Sequence, residues 1–335
     1  MNALSGALTA SSTIGDGGIA LTDLRLADSV RDALAERLHD ALGDPFPPLD
    51  TDVDAAILAR IGVHALRRTL PTAVLDELAG FTRDSSDVLV LSNLPQQEFP
   101  PTPVSGFGEE TELSLVNSLQ LGLISLLGLT PYAVDYENSG KLIRNVVPNP
   151  EAAGKTSSWG ADTEFFWHTD NPHLPFGQAG LDPRPFPPRF LTFYAVRNVE
   201  QVATEFVGVD VALEGLPEEV LERLSANEFL VAAPDSNDVK SDGRRIALEG
   251  TAVLQRAPEG VLIRYDRGTT RGMNAEAERA LDILSEQLAR KPAFAPVLQP
   301  GQFLIFDNYR ALHRRKAFDP APSDVARWLR RCYAS

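Results

Sequence analysis

Ten short β-like segments dominate the chain beyond residue 87, and no regular alternation with helices separates them. The segments read DVLVLSNL, KLIRNVVP, EFFWH, RFLTFYAVRNV, TEFVGVDV, EFLVAA, TAVLQRA, GVLIRYD, QFLIFDN and ARWLRRCYA. Helical spacing of apolar residues interrupts them near 217–226 and 275–290. A parallel α/β sheet would need a helix after most strands, so the pattern favours a sandwich, jelly roll or barrel. The fold prediction is therefore mainly β with flanking helices.

The part of the chain before residue 87 differs in composition and in the spacing of its apolar residues. Residues 1–20 are rich in Ser, Gly and Thr, which predicts a flexible N-terminal arm. From 21 to about 82 the apolar residues recur at helical spacing, with a Pro-rich break at DPFPPLD, which predicts a helical layer. Neither an internal repeat nor a long low-complexity linker divides the rest, so we expect a single domain over 21–335, with its β core from about 87 to 335.

Charge and cysteine content limit the partners. Asp and Glu outnumber Lys and Arg by 46 to 31, and the resulting field repels nucleic acid and anionic membranes. The uncharged stretch 114–134 is interrupted by Asn, Gln, Ser and Pro, which favours a buried helix over a membrane span. The start of the chain does not resemble a signal peptide, and the single cysteine, Cys332, has no partner for an internal disulfide. We expect a cytoplasmic protein with a small-molecule partner.

The stretch FFWHTD places His168 and Asp170 two residues apart at the end of a predicted strand. Side chains two apart lie on one face of a strand, about 6.6 Å apart at Cα, and one metal ion can bridge them. A second imidazole would complete the two-histidine, one-carboxylate triad that leaves positions open on Fe(II). A hydrogen-bonded His–Asp pair in the core is the structural alternative.

The third ligand has to come from the remaining four histidines. His39 and His64 lie in the amphipathic N-terminal segments, and His173 follows a proline turn that directs it to the rim of a pocket. His313 follows a strong strand pattern, GQFLIFDNYRAL, leading into a turn, and would lie at a strand end as the first pair does. His313 is therefore the expected third ligand.

The C-terminal segment ARWLRRCYA alternates and puts Arg327 and Arg331 on one face of a strand. Two arginines on a core-like strand are costly to bury without anionic partners. Internal salt bridges would supply such partners, whereas in a ligand site a guanidinium fork would hold a carboxylate bidentately.

Taken together, HxD, a distal His and an Arg fourteen residues later (313 to 327) resemble the Fe(II)/2-oxoglutarate-dependent oxygenases. The similarity is greatest to the clavaminate synthase-like and taurine dioxygenase-like group, which includes hydroxylases of free arginine, asparagine and lysine. It extends from about residue 87 to the C-terminus through segments such as GKLIRNVVPNP, TSSWGADTEFFWHTD and FDNYRALHRR. The resemblance implies a double-stranded β-helix core, the jelly roll of cupin-like proteins.

The resemblance also implies residue roles. Iron would be bound by His168, Asp170 and His313, and the distal carboxylate of 2-oxoglutarate by Arg327 with support from the Thr204 hydroxyl. Ser158 matches a serine that contacts substrate in the amino acid hydroxylases, and Arg331 matches their arginine for the substrate α-carboxylate. Asp266 lies where arginine hydroxylases place acidic residues, which favours a basic substrate. Asp162 and Glu164 lie before the first ligand and are further acidic candidates. For all three, the alternative is a structural or surface carboxylate.

The implied chemistry uses Fe(II), 2-oxoglutarate and O2, with ascorbate as reductant in vitro, and hydroxylates an unactivated C–H bond of an L-amino acid while releasing succinate and CO2. A place in specialised metabolism such as antibiotic biosynthesis is expected. Asp170 stands where the clavaminate-like enzymes usually have Glu, although Asp is common in the taurine and lysine branches, and its presence argues against halogenation. The longer loop 173–188 is expected to act as a lid or as a rigid surface ornament.

Several alternatives stay open on the sequence alone. Desaturation, cyclisation or a carrier-bound amino acid would keep the same enzyme class. A zinc-dependent hydrolase could use the same ligands without needing Arg327, and a non-catalytic cupin-like binding protein would bind without turnover. The hydroxylated carbon, the stereochemistry and the oligomeric state are not fixed by the sequence.

Overall fold

The structure is a computed structural model that describes residues 8–43, 47–83, 87–176, 186–234 and 246–335. The helices of these residues are α1 Asp28–Leu42, α2 Asp52–Thr69, α3 Thr72–Phe81, α4 Ser114–Leu126, α5 Val209–Leu213, α6 Glu218–Leu224 and α7 Ala275–Leu288. The strands are β1 Leu8–Ile14, β2 Ala20–Leu26, β3 Val88–Ser92, β4 Pro131–Tyr132, β5 Ile143–Val146, β6 Phe165–His168, β7 Phe190–Arg197, β8 Glu205–Gly208, β9 Phe229–Ala232, β10 Ala247–Thr251, β11 Leu254–Ala257, β12 Gly260–Ile263, β13 Thr270–Gly272, β14 Phe303–Asp307, β15 Ala311–Arg315 and β16 Trp328–Ala334.

Two facing sheets build the jelly-roll core. The larger sheet has the strand order β1-β2-β3-β14-β7-β16-β4, with β5 also paired to β16, and the smaller one has the order β6-β15-β8. Phe206 of the small sheet meets Phe306 of the large sheet with ring centroids 5.0 Å apart. The predicted mainly β, jelly-roll architecture is confirmed.

Alternation along the strands explains why the large sheet is buried on both faces. On β14, Leu304 and Phe306 join the cluster between the sheets, whereas Phe303 and Ile305 join the cluster beneath the N-terminal helices. Since side chains of a strand point alternately to its two faces, one apolar run serves two cores.

The helical layer covers the outer face of the large sheet through α2 and α4. These two helices cross at Gly62 and Gly122, where a Cβ added to Gly122 would lie 2.7 Å from the Cα of Gly62. Ser118 also donates to the backbone oxygen of Leu58 at 2.8 Å. Helix α4 is buried, as the uncharged stretch predicted, and among the described residues no helix is long and apolar enough to cross a membrane.

The N-terminal segment corrects the sequence prediction. Instead of a flexible arm, residues 8–20 include β1 and the start of β2, an antiparallel hairpin whose second strand runs parallel to β3. The helical layer consequently begins at Asp28 and not at residue 21. In β2, Leu24 and Leu26 are buried while Asp23 and Arg25 are exposed, so the segment has strand periodicity. Residues 1–7 lie outside the described part of the chain.

The ten β-like segments each contain a strand. One of them is shorter than expected, because TEFVGVDV changes from β8 into the short helix α5 at Val209. The two helical stretches correspond to α6 and α7.

Candidate metal centre and substrate cavity

His168, Asp170 and His313 come together in one buried group. His168 is the last residue of β6 and lies opposite His313 in the β6–β15 ladder, with ring centroids 4.1 Å apart. Oδ1 of Asp170 lies 3.4 Å from Nε2 of His168 and 3.5 Å from Nε2 of His313. A possible ligand atom of each residue is within 4.8 Å of the other two. His313 lies in the middle of β15 and not at the predicted strand end, because a turn at 308–310 precedes that strand.

The hydrogen bonds of the histidines are compatible with a metal bound between their Nε2 atoms and Oδ1 of Asp170. Nδ1 of His168 lies 2.7 Å from the backbone oxygen of Phe166, so it carries the proton and donates. Nε2 of the same ring faces Asp170 and has no hydrogen-bond partner among the described residues. Burial, followed by the neighbouring His168, lowers the pKa of His313 to about 4, which keeps this imidazole neutral. Two imidazoles and a carboxylate match the donor set of a non-haem iron site.

The carboxylate oxygen of Asp170 that does not face the histidines is bound by other side chains. Its Oδ2 accepts from Nη1 of Arg331 at 2.7 Å and lies 3.2 Å from the Tyr333 hydroxyl. Its backbone N–H donates to the side chain of Asn308 at 2.8 Å. Burial alone would raise the pKa of Asp170, but Arg331 and the two imidazoles outweigh it and hold the pKa well below its usual range. The carboxylate is therefore ionised, with Oδ1 facing the histidines.

Glu137 links Asp170 to a second arginine. Arg144 and Arg331 lie opposite each other in the β5–β16 ladder, and both donate to Oε1 of Glu137, Arg144 at 3.1 Å. Oε2 accepts from the Tyr333 hydroxyl at 2.7 Å. Burial opposes the ionisation of Glu137, but the two arginines keep its pKa lowered. Two buried cations thus balance two buried carboxylates.

The sequence reasoning missed Glu137 and Arg144. Arg144 carried a signal, since it is a charged residue within the apolar run KLIRNVV and would need a buried partner there. For Arg331, the internal salt bridges considered as an alternative are present in this structure.

Arg327, unlike Arg331, forms no ion pair with a carboxylate of the described residues. It is 4% exposed, its Nε has no hydrogen-bond partner, and no carboxylate among the described residues pairs with its guanidinium within 4 Å. Burial, and then the charge of Arg315, lower the pKa of Arg327 to about 9. Thr204, directly before β8, is buried, and its N–H donates to the backbone oxygen of Pro296 at 3.2 Å. A buried arginine without an anion is suited to receive one from a ligand.

A cavity of about 620 Å³ is lined by two of the three candidate ligands, His168 and Asp170. Ser158, Arg331 and Asp266 all lie in its wall, as does Glu137. Ser158 accepts from Nε of Arg144 at 3.0 Å. Oδ1 of Asp266 accepts from the backbone N–H of Gly268 at 2.8 Å and so caps its own turn.

Other sequence candidates have structural roles. Both carboxylate oxygens of Asp162 accept from the N–H of Gly154 at 3.0 Å, and Glu164 lies 3.5 Å from Arg314. His173 is 1% exposed and packs against the Tyr136 ring, so it does not lie at a pocket rim. His39 and His64 lie in α1 and α2. Of the loop 173–188, residues 177–185 lie outside the described residues.

Comparison with known proteins agrees with this geometry. The family model of the taurine catabolism dioxygenases, the TauD/TfdA family, matches residues 120–333. An enduracididine beta-hydroxylase from Streptomyces hygroscopicus is 25% identical, covering 92% of this chain and 91% of its own length. An L-lysine 3-hydroxylase from Catenulispora acidiphila is 23% identical over 79% of this chain and 72% of its own.

Solved structures show the same fold. A crystal structure of an asparagine oxygenase superposes with a TM-score of 0.76 at 25% identity, covering 93% of this chain and 92% of that chain. The non-heme iron oxygenase OrfP, solved in complex with iron and alpha-ketoglutaric acid, superposes with a TM-score of 0.73 at 24% identity, covering 92% of each chain.

Proposed function

The chain belongs to the TauD/TfdA family of dioxygenases, and from that premise we propose that it hydroxylates a C–H bond of an L-amino acid with iron(II) and 2-oxoglutarate. The observation that carries the proposal is the buried triad of His168, Asp170 and His313 beside a cavity walled by Glu137 and Arg331. The relatives named above as hydroxylases of lysine and enduracididine support an amino acid as substrate.

We assign the metal to His168, Asp170 and His313, whose facing atoms fit iron in number and type. When bound, iron(II) with 2-oxoglutarate and O2 supplies the oxidising power for hydroxylation and yields succinate and CO2. Arg327 supplies the counter-charge for the distal carboxylate of 2-oxoglutarate, because no carboxylate among the described residues forms an ion pair with its buried guanidinium within 4 Å and Glu200 acts on it only from a greater distance. The Thr204 hydroxyl is assigned to the same carboxylate.

The substrate's α-carboxylate is assigned to Arg331 and Ser158, both in the cavity wall. Only one hydrogen of each Arg331 Nη atom is used by Glu137 and Asp170, which leaves guanidinium donors for a ligand. The buried charges of Arg144, Arg331, Glu137 and Asp170 sum to zero, and a zwitterion preserves that balance. A free amino acid is therefore favoured over an anion without an ammonium group.

For the side chain of the substrate we propose a basic group, read by Asp266. Its Oδ1 is used by the Gly268 N–H, while the carboxylate still lines the cavity and brings one negative charge to that wall. Two relatives described above are named as hydroxylases of enduracididine and of L-lysine, which are basic amino acids, and this supports the proposal.

Family membership favours this reading over a zinc hydrolase or a non-catalytic binding protein. Desaturation, cyclisation and a carrier-bound amino acid are outcomes of the test within the same family. We further propose that the reaction runs in the cytoplasm, because the one cysteine, Cys332, is buried and free, as a reducing compartment allows.

The test is succinate release, followed by mass spectrometry, from the full-length protein with Fe(II), ascorbate, O2 and 2-oxoglutarate across the proteinogenic amino acids. The expected result is stimulation by one amino acid, lysine and arginine being the first candidates, with a product heavier by one oxygen. His313→Ala serves as the control for adventitious iron chemistry.

A product lighter by two hydrogens would replace hydroxylation by desaturation. Slow succinate release that no free amino acid stimulates would transfer the proposal to carrier-bound substrates. Iron binding without any succinate would overturn the function proposed here.

A further inference from the structure

Arg315 is a buried arginine whose partners are backbone carbonyls. It lies on β15, two residues beyond His313, and is 6% exposed. Nη1 donates to the oxygen of Ala161 at 3.2 Å and to that of Lys316 at 2.8 Å. Nη2 donates to the oxygens of Gly160 and, at 3.2 Å, of Thr163, and the oxygen of Ser157 lies 3.5 Å from it. No carboxylate among the described residues forms an ion pair with it within 4 Å. Four carbonyls of one segment thus converge on one guanidinium.

That segment forms a large part of the cavity surface. We call residues 149–163 the pocket wall, since Asn149, Glu151, Ala152 and Gly154 to Trp159 all line the cavity. The wall contains one 3-10 turn, Pro150–Ala152, and no strand up to the start of β6 at Phe165. Its carbonyls therefore have no sheet ladder to satisfy them and depend on other donors.

The wall has other fixed points besides Arg315. Ser158 accepts from Nε of Arg144 at 3.0 Å, and the oxygen of Ala161 also accepts from the N–H of Phe318 at 2.9 Å. The ends of the wall are joined by the Asn149 N–H, which donates to the Trp159 oxygen at 3.0 Å, and the Trp159 indole donates to Asn145 at 2.8 Å. Asp162 accepts from Gly154 within the wall. Arg315 is the contact that ties the second half of the wall to the strand of the metal ligand His313.

We propose that Arg315 is a positioning residue that fixes the pocket wall against the metal-bearing strand and thereby sets the affinity for the amino acid without touching it. The effect on affinity rests on the function proposed above. The wall presents Ser158 and the backbone around it to the cavity, so a wall that moves would lose substrate contacts while the metal ligands stay in place.

The geometry requires the fork of a guanidinium. Four carbonyls spread around one group are met by planar donors in fixed directions, which an ammonium on a flexible chain does not reproduce. The charge of Arg315 has a second effect, because it contributes to the lowered pKa of Arg327 and so adds positive potential where a dicarboxylate is expected. Shape and charge of Arg315 can therefore be separated with two variants.

The experiment compares Arg315→Lys and Arg315→Met with the wild type and with Arg314→Lys. Arg314 is the matched control on the same strand, since its partners are the carboxylates of Glu205 and Glu164. Five quantities are measured: amide hydrogen exchange of residues 153–164 in the metal-free protein, the Kd for Co(II), kcat, and separate KM values for 2-oxoglutarate and for the amino acid selected by the wild type.

For Arg315→Lys we expect wall exchange and the amino acid KM to rise by about tenfold, as for the loss of one or two net hydrogen bonds, with kcat, the 2-oxoglutarate KM and the Kd for Co(II) unchanged. Arg315→Met should add an increase in the 2-oxoglutarate KM, because the positive charge is lost. Arg314→Lys should resemble the wild type in every one of these measurements.

Unchanged wall exchange in both Arg315 variants would overturn the proposal. So would a parallel loss of Co(II) affinity, because Arg315 would then support the metal strand in general. Should the wild type turn over no amino acid, the proposed function fails, while hydrogen exchange still decides whether Arg315 holds the wall.

Discussion

Arg331 and Asp170 form an ion pair between the cavity wall and the candidate metal triad. Nη1 of Arg331 donates to Oδ2 of Asp170 at 2.7 Å, while Oδ1 of the same carboxylate faces both candidate histidine ligands. Arg331 also donates to Glu137. One guanidinium thus contacts two buried carboxylates, so a change at Arg331 should alter stability, metal affinity and substrate affinity together.

Arg331→Met should lower the free energy of unfolding of the metal-free protein by about 3 kcal/mol, because it leaves Asp170 buried without its cation. Saturating Co(II) should restore part of that loss by supplying positive charge to Asp170. Urea unfolding with and without Co(II) measures both, with Arg290→Met, at an exposed pair, as control. An equal loss under both conditions would argue against Asp170 as a metal ligand.

Arg327→Met should abolish stimulation by 2-oxoglutarate without destabilising the ligand-free protein. The wild type buries an unpaired guanidinium there, and an apolar side chain of similar length removes that cost. Thermal unfolding should show an equal or higher Tm, together with loss of the stabilisation that 2-oxoglutarate gives the wild type. A large drop in Tm would mean that Arg327 has a structural partner.

Asp266→Asn should raise the KM for a basic amino acid at least tenfold, because one charge is lost from the cavity wall. The amide oxygen can still accept from the Gly268 N–H, so the turn is retained. Succinate release in the absence of amino acid should not change, which separates substrate recognition from co-substrate turnover. Equal KM values in the two proteins would assign Asp266 to the turn alone.

The proximity of His168, Asp170 and His313 could be predicted because most of the geometry is local. His168 and Asp170 are two residues apart in the sequence, and the strand before His313 has a strong apolar pattern. Glu137 and Arg144 were not predictable in the same way, because they reach Asp170 only through the pairing of β5 with β16. Nothing in a single sequence fixes which strands become neighbours across such a separation.

The N-terminal hairpin was missed for a different reason. Leu24 and Leu26 of β2 are buried, but the residues of β1 from Thr9 to Ile14 are exposed, so the edge strand has no apolar pattern to find. His173 was expected at the rim of a pocket because of the proline turn before it, whereas the imidazole is buried against Tyr136. Both outcomes depend on packing with distant parts of the chain.

Gly122→Ala should destabilise the protein by about 2 kcal/mol or more through overpacking of the α2–α4 crossing. The new methyl group would lie 2.7 Å from backbone atoms of Gly62, and backbone cannot move aside as a side chain can. Gly128→Ala is not a suitable control because its φ of 76° favours glycine, so Ser125→Ala, in the last turn of α4, is preferable. A loss of under about 0.5 kcal/mol would show that the helices can separate freely.

His173 should make the stability of the metal-free protein depend on pH. Burial lowers the pKa of His173 to about 4, with Glu137 acting weakly in the opposite direction, whereas 6.5 is the ordinary value. The unfolded chain therefore binds a proton below pH 6.5 that the folded protein does not bind until about pH 4. The contribution is fully present above pH 6.5 and is lost as the pH falls through that window, by up to about 1.4 kcal/mol per pH unit.

His173→Phe should remove this dependence and leave the packing against the Tyr136 ring in place, since both ring nitrogens of His173 lack hydrogen-bond partners among the described residues. His313 contributes a similar slope, and the raised pKa values of Asp87 and Asp307 act in the opposite direction, but these groups are common to both proteins. The difference in slope between wild type and variant from pH 6.5 to 4.5, measured by urea unfolding in the presence of a chelator, should therefore approach one proton. Equal slopes would mean that His173 titrates normally and that water reaches its imidazole.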